Sequence, residues 1–150
     1  HAPISDKIQI SLAIPQFEVS TPEARNALPK TIPHDHAVFN VQRTALLIMA
    51  LTEGNKSLLP TATEDRLHQT HRAHLMGPIK DAFNAARNSG ADGVALSGAG
   101  PTVLAFSIAG EADAQMIAEG MSDAYRARDI GCRPLTLKID FQGARCKLAG

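Results

Sequence analysis

The sequence contains no tryptophan, one tyrosine and five phenylalanines in 150 residues, yet with 44% apolar and 20% charged residues it keeps the balance of an ordinary soluble globular protein. That composition argues against disorder. Only two cysteines occur, Cys132 and Cys146, and they lie in no metal-ligand spacing. The pattern weighs against a disulfide and fits free thiols in a reducing cytosol, so a cytoplasmic location is expected. Neither sign of charge is in excess: fifteen basic and fifteen acidic side chains cancel. No overall field therefore gathers phosphate polymers or an anionic membrane, and neither nucleic acid nor membrane is an expected partner. Long hydrophobic runs are missing as well. The longest, from Ala45 to Leu51, falls far short of the ~20 residues that cross a bilayer. The first residues, HAPISDK, lack both the basic start and the apolar stretch of a signal peptide. They also lack an initial methionine and run almost at once into a strand pattern, as a piece of a longer protein or a processed chain would.

The length suits one domain with one core, and no internal repeat, low-complexity stretch or linker divides it. Ile8, Ile10, Leu12 and Ile14 alternate with polar or small residues, the period of a half-buried strand, and Pro15 puts that end at an edge or a bulge. In STPEAR, Ser20 or Thr21 can cap a short helix that Pro22 and Glu23 favour in its first turn. Val38, Val41, Ala45, Leu46, Ile48 and Met49 follow helical spacing after His34 and His36, with Gly54 as the stop. The spacing also predicts helices over 58–68, 78–88 and 111–128, the last with Ala112, Met116, Ile117 and Tyr125 available for one face. GVALSG and PTVLAFSI read as two strands joined by a tight turn, and Leu135, Leu137, Ile139 and Phe141 alternate as a final strand. The order of strand, helices, strand, strand, helix, strand gives an α+β layered domain, its four-stranded sheet mixed or antiparallel with helices mainly on one face.

The strongest local signal for chemistry is GADGVALSGAGPTVLAF. Two glycines two residues apart, Gly98 and Gly100 with Ser97 and Ala99 around them, let backbone come close to another backbone or to a phosphate. A glycine-built hairpin explains the same residues. The segment is neither a P-loop, since no Gly-Lys-Ser/Thr follows, nor a dinucleotide fingerprint, since no helix does. Arg25, one turn into its helix, and Arg72, just after DRLHQ, could each clamp a carboxylate or phosphate through a bidentate fork, or form a surface salt bridge. His68, His71 and His74 are spaced by three, but no cysteine or supporting pattern makes them a metal site, and none is expected. Asp81, Asp92 and Asp113 read as solvated helix or turn residues. From the residues alone, the reading stops at a ligand-binding α+β domain.

Four segments together resemble the homoserine kinase family of GHMP small-molecule kinases. LAIPQFEVSTPEARNALP is similar to that family's strand and Thr-x-Glu-Ala-Arg helix, HAVFNVQRTALL to its central helix, DRLHQTHRAHL to its Asp-Arg-Leu-His-Gln segment, and GVALSGAGPTVLAF to the third GHMP motif. The closing QGAR is similar too. The glycine loop is shared by GHMP kinases for mevalonate, galactose and a diphosphocytidyl intermediate, whereas the two arginine segments are narrower. The resemblance implies a ferredoxin-like C-terminal domain over residues 1–150. It implies that Arg25 and Arg72 hold the carboxylate of L-homoserine with Thr21 and Asn40 nearby, and that Ser97, Gly98, Ala99 and Gly100 lie near the phosphates. The chain departs from the family pattern at His71 and at Met76–Pro78. It also lacks the family's phosphate loop, Pro-x-x-x-Gly-x-Gly-Ser-Ser-Ala. ATP and magnesium are then expected only in the intact enzyme, and the chain alone should be inactive, bind neither, and self-associate through apolar surface meant for its missing half. Another GHMP kinase half, or a non-catalytic binding or dimerisation module, would share much of this pattern.

Overall fold

The computed structural model describes residues 3–143 and Cys146. Its elements run β1 (Ile8–Pro15), α1 (Thr21–Asn26), α2 (His34–Glu53), α3 (Leu59–Ala62), α4 (Gln69–Arg72), α5 (Ile79–Asn88), β2 (Gly93–Leu96), β3 (Val103–Ile108), α6 (Ala114–Arg126) and β4 (Cys132–Leu137). The strands form one antiparallel sheet in the order β2-β3-β1-β4. With helical segments between β1 and β2 and again between β3 and β4, this is the ferredoxin-like arrangement. The expected α+β fold is present, and its sheet is antiparallel throughout.

β1 lies in the middle of the sheet and ends at Pro15. Pairing with β3 stops at Ala13, while pairing with β4 continues to Pro15 opposite Cys132. Beyond Ala13 the β3 side is unpaired, so Pro15 stands at a local edge as expected, although β1 itself is a central strand. The residue closes β1 where only one neighbour remains, so its missing N–H breaks no ladder on the β3 side.

The main core lies between the sheet and the α5–α6 layer, with Ala13, Val94, Val103, Ala105, Met76, Ile117, Met121 and Tyr125 buried together. On β1 the residues turned into this core are the small ones. Ser11, Ala13 and Pro15 are buried, while Ile10, Leu12 and Ile14 on the opposite face stay half-buried. Small side chains let α6 come close, and Ser11 Oγ donates to the carbonyl of Ala114 at 2.7 Å. A second cluster, Ile8, Ala50, Leu59 and Ile108, packs α2 and α3 against one end of that opposite face. The helices therefore lie mainly, though not wholly, on one side.

Three helices differ from the sequence reading. α2 forms as expected and stops at Gly54 in the left-handed region (φ 65°), but much of its apolar stripe faces outward, with Val41 70% exposed and Val38, Ile48 and Met49 also exposed. The expected helix over 58–68 is broken: α3 ends at Ala62, and the next regular turn starts at Gln69. The Asp65 carboxylate accepts the backbone N–H groups of His68 and Gln69 at 2.8 and 2.6 Å, and this side-chain alternative interrupts the helix. α6 starts at Ala114 rather than Glu111, because the Asp113 side chain caps it by accepting from the Gln115 and Met116 amides. That register puts Ile117, Met121 and Tyr125 inside and leaves Met116 exposed, while Ala112 packs on the core from just before the helix. The last strand ends at Leu137, with Phe141 exposed beyond it. Residues 144 and 145 of the closing QGAR lie outside the described residues.

Candidate functional site

The STPEAR segment folds as anticipated. Ser20, not Thr21, is the cap, its hydroxyl accepting from the Glu23 amide, and Thr21 opens α1 with its side chain exposed. Arg25 points from the last turn of α1 into solvent. Arg72, 47 residues further on, reaches the same turn: its Nε donates to the carbonyl of Ala24 at 2.9 Å. The two arginine segments, remote in sequence, are thus tied side by side. Among the described residues neither arginine has a carboxylate partner, so the surface salt bridge that would explain them away is not formed. By contrast Arg43 pairs with Glu64 at 2.9 Å, and Arg43 and Arg66 both stack on the Phe39 ring.

Asn40 holds the turn before α4. Its Nδ2 donates to Asp65 Oδ1 at 2.6 Å, and its Oδ1 accepts the Arg66 amide at 3.0 Å. Burial works to raise the Asp65 carboxyl, but hydrogen bonds from the His68 amide, the Asn40 side chain and the Gln69 amide outweigh it and hold the group below its ordinary value. Asp65 and Gln69 escaped the sequence reading as functional positions. The signal was present in the spacing, an Asp three and four residues ahead of the N–H groups it caps.

The loop between β2 and β3 is closed by the Ser97 amide donating to Thr102 at 2.8 Å and the Gly100 amide donating to Ser97 at 3.1 Å. Gly98 (φ 61°) and Gly100 (φ 84°) both adopt the left-handed region, but their surroundings differ. A side chain added at Gly98 would meet nothing within 4 Å, whereas one at Gly100 would fall 2.5 Å from Met76 Sδ. Gly100 is where the loop packs on the core. Gly98 is where its backbone stands open, flanked by exposed Ser97 and Ala99. Asn40, Asp65, Gln69, Ser97 and Gly98 line one cleft of about 330 Å³. A larger cleft, about 850 Å³, lies at the opposite end of the sheet among Gln9, Asp113 and Lys138, remote from every one of these residues. The smaller cleft is the candidate site because Asn40 and the glycine loop line it, whereas Thr21, Arg25 and Arg72 are not among its lining residues. The three histidines are split among the cap of α4, α4 itself and the 3-10 turn after it, and among the described residues no three His, Cys, Asp or Glu side chains converge as metal ligands.

This fold, with a glycine loop beside paired cationic segments, matches a known class. The family described as GHMP kinases C terminal matches residues 47–127, and the chain belongs to that family. Its relatives narrow the comparison. A homoserine kinase of Desulfitobacterium hafniense is 40% identical over 131 residues, covering 87% of this chain and 43% of that protein. One from Crocosphaera subtropica is 41% identical over 140 residues, covering 93% and 44%. The crystal structure of a homoserine kinase from Cytophaga hutchinsonii superimposes with a TM-score of 0.86 at 31% identity, over 91% of this chain and 43% of that one. A phosphomevalonate kinase of Streptococcus pneumoniae, at 13% identity and a TM-score of 0.55, shares the fold alone. The chain spans less than half the length of these relatives.

Proposed function

We propose that this chain is the substrate-orienting, C-terminal half of a homoserine kinase, which moves the γ-phosphoryl group of ATP to the hydroxyl of L-homoserine for threonine biosynthesis in the cytoplasm. The observation that carries the reading is the Arg72–Ala24 bond, which ties Arg72 to the backbone turn next to Arg25, while neither arginine has a carboxylate partner among the described residues. Guanidinium groups carried on adjoining segments could share a small carboxylate. Thr21 lies at the head of the same helix, and Asn40, fixed at both ends of its amide, lines the cleft.

Phosphoryl transfer depends on placing two reactants in line and neutralising the charge that develops. In this reading the arginines orient homoserine, the Ser97–Gly100 backbone lies beside the phosphates, and the part of the enzyme corresponding to the rest of its relatives cradles ATP. Magnesium would accompany ATP in such a reaction, and among the described residues no three His, Cys, Asp or Glu side chains converge to hold it. The chain alone is inactive toward ATP. The exposed stripe of Val38, Val41, Ile48 and Met49 on α2 supports contact with the missing half, and homo-oligomer formation when that half is absent.

The test is isothermal titration of L-homoserine into the chain joined to the N-terminal half of the Desulfitobacterium hafniense relative, with an ADP-release assay alongside. Homoserine-dependent ADP release, with homoserine binding weakened by Arg25→Ala and Arg72→Ala, is expected. Binding that is indifferent to both substitutions would overturn the assignment of the clamp, and saturable ATP turnover by the chain alone would overturn its predicted inactivity.

A further inference from the structure

One turn of helix joins all parts of the site. α4 is four residues long and cannot persist on its own propensity, so its position is set by what it is fastened to. At its start, Gln69 Oε1 accepts the Leu96 amide at 2.8 Å while Nε2 donates to the Thr63 carbonyl at 3.2 Å. Leu96 is the last residue of β2, and β2 is an edge strand. The outward N–H groups of an edge need acceptors from outside the sheet. Val94 finds Thr63 Oγ1 at 3.3 Å, and Leu96 finds Gln69. Ser97 and the glycine loop follow directly. At the other end of the same turn, Arg72 reaches Ala24 of α1. Beneath it, Asp65 receives both leading amides of the turn and is itself held by Asn40.

We propose that Gln69 is a positioning residue that sets the Ser97–Gly100 loop at a fixed distance from the Arg25–Arg72 pair, with Asp65 fixing the turn that carries both. The inference rests on reading loop and arginines as parts of one kinase site. Its consequence is a separation of effects. Releasing Gln69 frees the loop and leaves Asp65 and Arg72 in place, so the transfer step suffers while homoserine binding does not.

Two variants test this. Gln69→Met keeps the length but loses both polar atoms, and Gln69→Glu keeps an acceptor for the Leu96 amide. In the chain itself, amide hydrogen exchange at Leu96 should accelerate by about tenfold or more in Gln69→Met and stay near the original in Gln69→Glu, with the Met121 amide in α6 unchanged as the control for global folding. In the enzyme completed with the relative's N-terminal half, Gln69→Met should lower kcat on the order of tenfold to a hundredfold with the homoserine KM almost constant, and Gln69→Glu should recover most of that loss. Unchanged Leu96 exchange in Gln69→Met, a homoserine KM that rises in step with the fall in kcat, or a Glu variant no better than Met would each overturn the inference. A completed enzyme that never phosphorylates homoserine would overturn the functional reading instead, and the Leu96 exchange result, which needs no substrate, distinguishes the two failures.

Discussion

Replacing Gly100 with alanine should cost far more stability than replacing Gly98, although the two glycines share a loop and a positive φ. At both positions alanine in the left-handed region costs about 1–2 kcal/mol. The stiffer unfolded chain offsets this by about 0.4–1 kcal/mol. Gly98→Ala, with nothing within 4 Å of the new methyl, should therefore cost no more than about 1.6 kcal/mol. At Gly100 the methyl would lie 2.5 Å from Met76 Sδ, 3.0 Å from Met76 Cε and 3.3 Å from Leu96 Cδ2. Met76 is flexible, but at 0% exposure it has no open space to swing into. Overpacking of this kind adds about 1–3 kcal/mol, for a total of roughly 1–5. Urea denaturation of both variants, with unchanged m-values, would measure the gap. Thermal melts should show it as well, since about 1 kcal/mol shifts Tm by roughly 2–4 °C in a domain of this size. Combining Gly100→Ala with Met76→Ala should give a favourable coupling of about 0.5–3 kcal/mol. Equal costs at the two glycines, or strict additivity in the double variant, would refute the claim that Gly100 packs on the core while Gly98 stands free.

Other outcomes follow from the same geometry. Because the Asp65 carboxyl is held below its ordinary value of 3.8, the folded state binds fewer protons there, so its contribution is complete above that value and is lost as pH falls through the lowered one. Asp65→Asn should flatten the acid limb of a stability-versus-pH curve, and an unchanged slope would show that the network carries no linkage. Tyr125→Phe removes the donor to the Met76 carbonyl at 3.1 Å in a fully buried position and should cost about 1–3 kcal/mol in chemical denaturation. Asp113→Ala removes the side-chain acceptor for the Gln115 and Met116 amides and should cost about 1 kcal/mol, a loss that Asp113→Ser restores.

Much of this architecture can be read from local chemistry. Ser20 and Pro22 start α1, Gly54 stops α2, and the short apolar runs on either side of the glycine loop define β2 and β3, because caps, stops and turns act within a few residues. The arginines could be singled out by type and motif, but the tie between their segments could not be read, since the Arg72–Ala24 bond spans 48 residues. Nor could the break before α4 be seen. Glu64 to His68 has helical composition, and only the Asp65 carboxylate, steadied by Asn40 from another helix, tips the balance. The faces of β1 were legible as a period of two but not as inside and outside. Hydrophobicity alone points the isoleucines inward, yet packing against α6 favours Ser11 and Ala13 there because a closely seated helix leaves room only for small side chains. The sequence by itself thus determined which elements form and which residues carry charge and turn chemistry. The tertiary structure decided which surfaces are covered and which distant groups share a site, because burial and long-range hydrogen bonds depend on neighbours that no local pattern specifies.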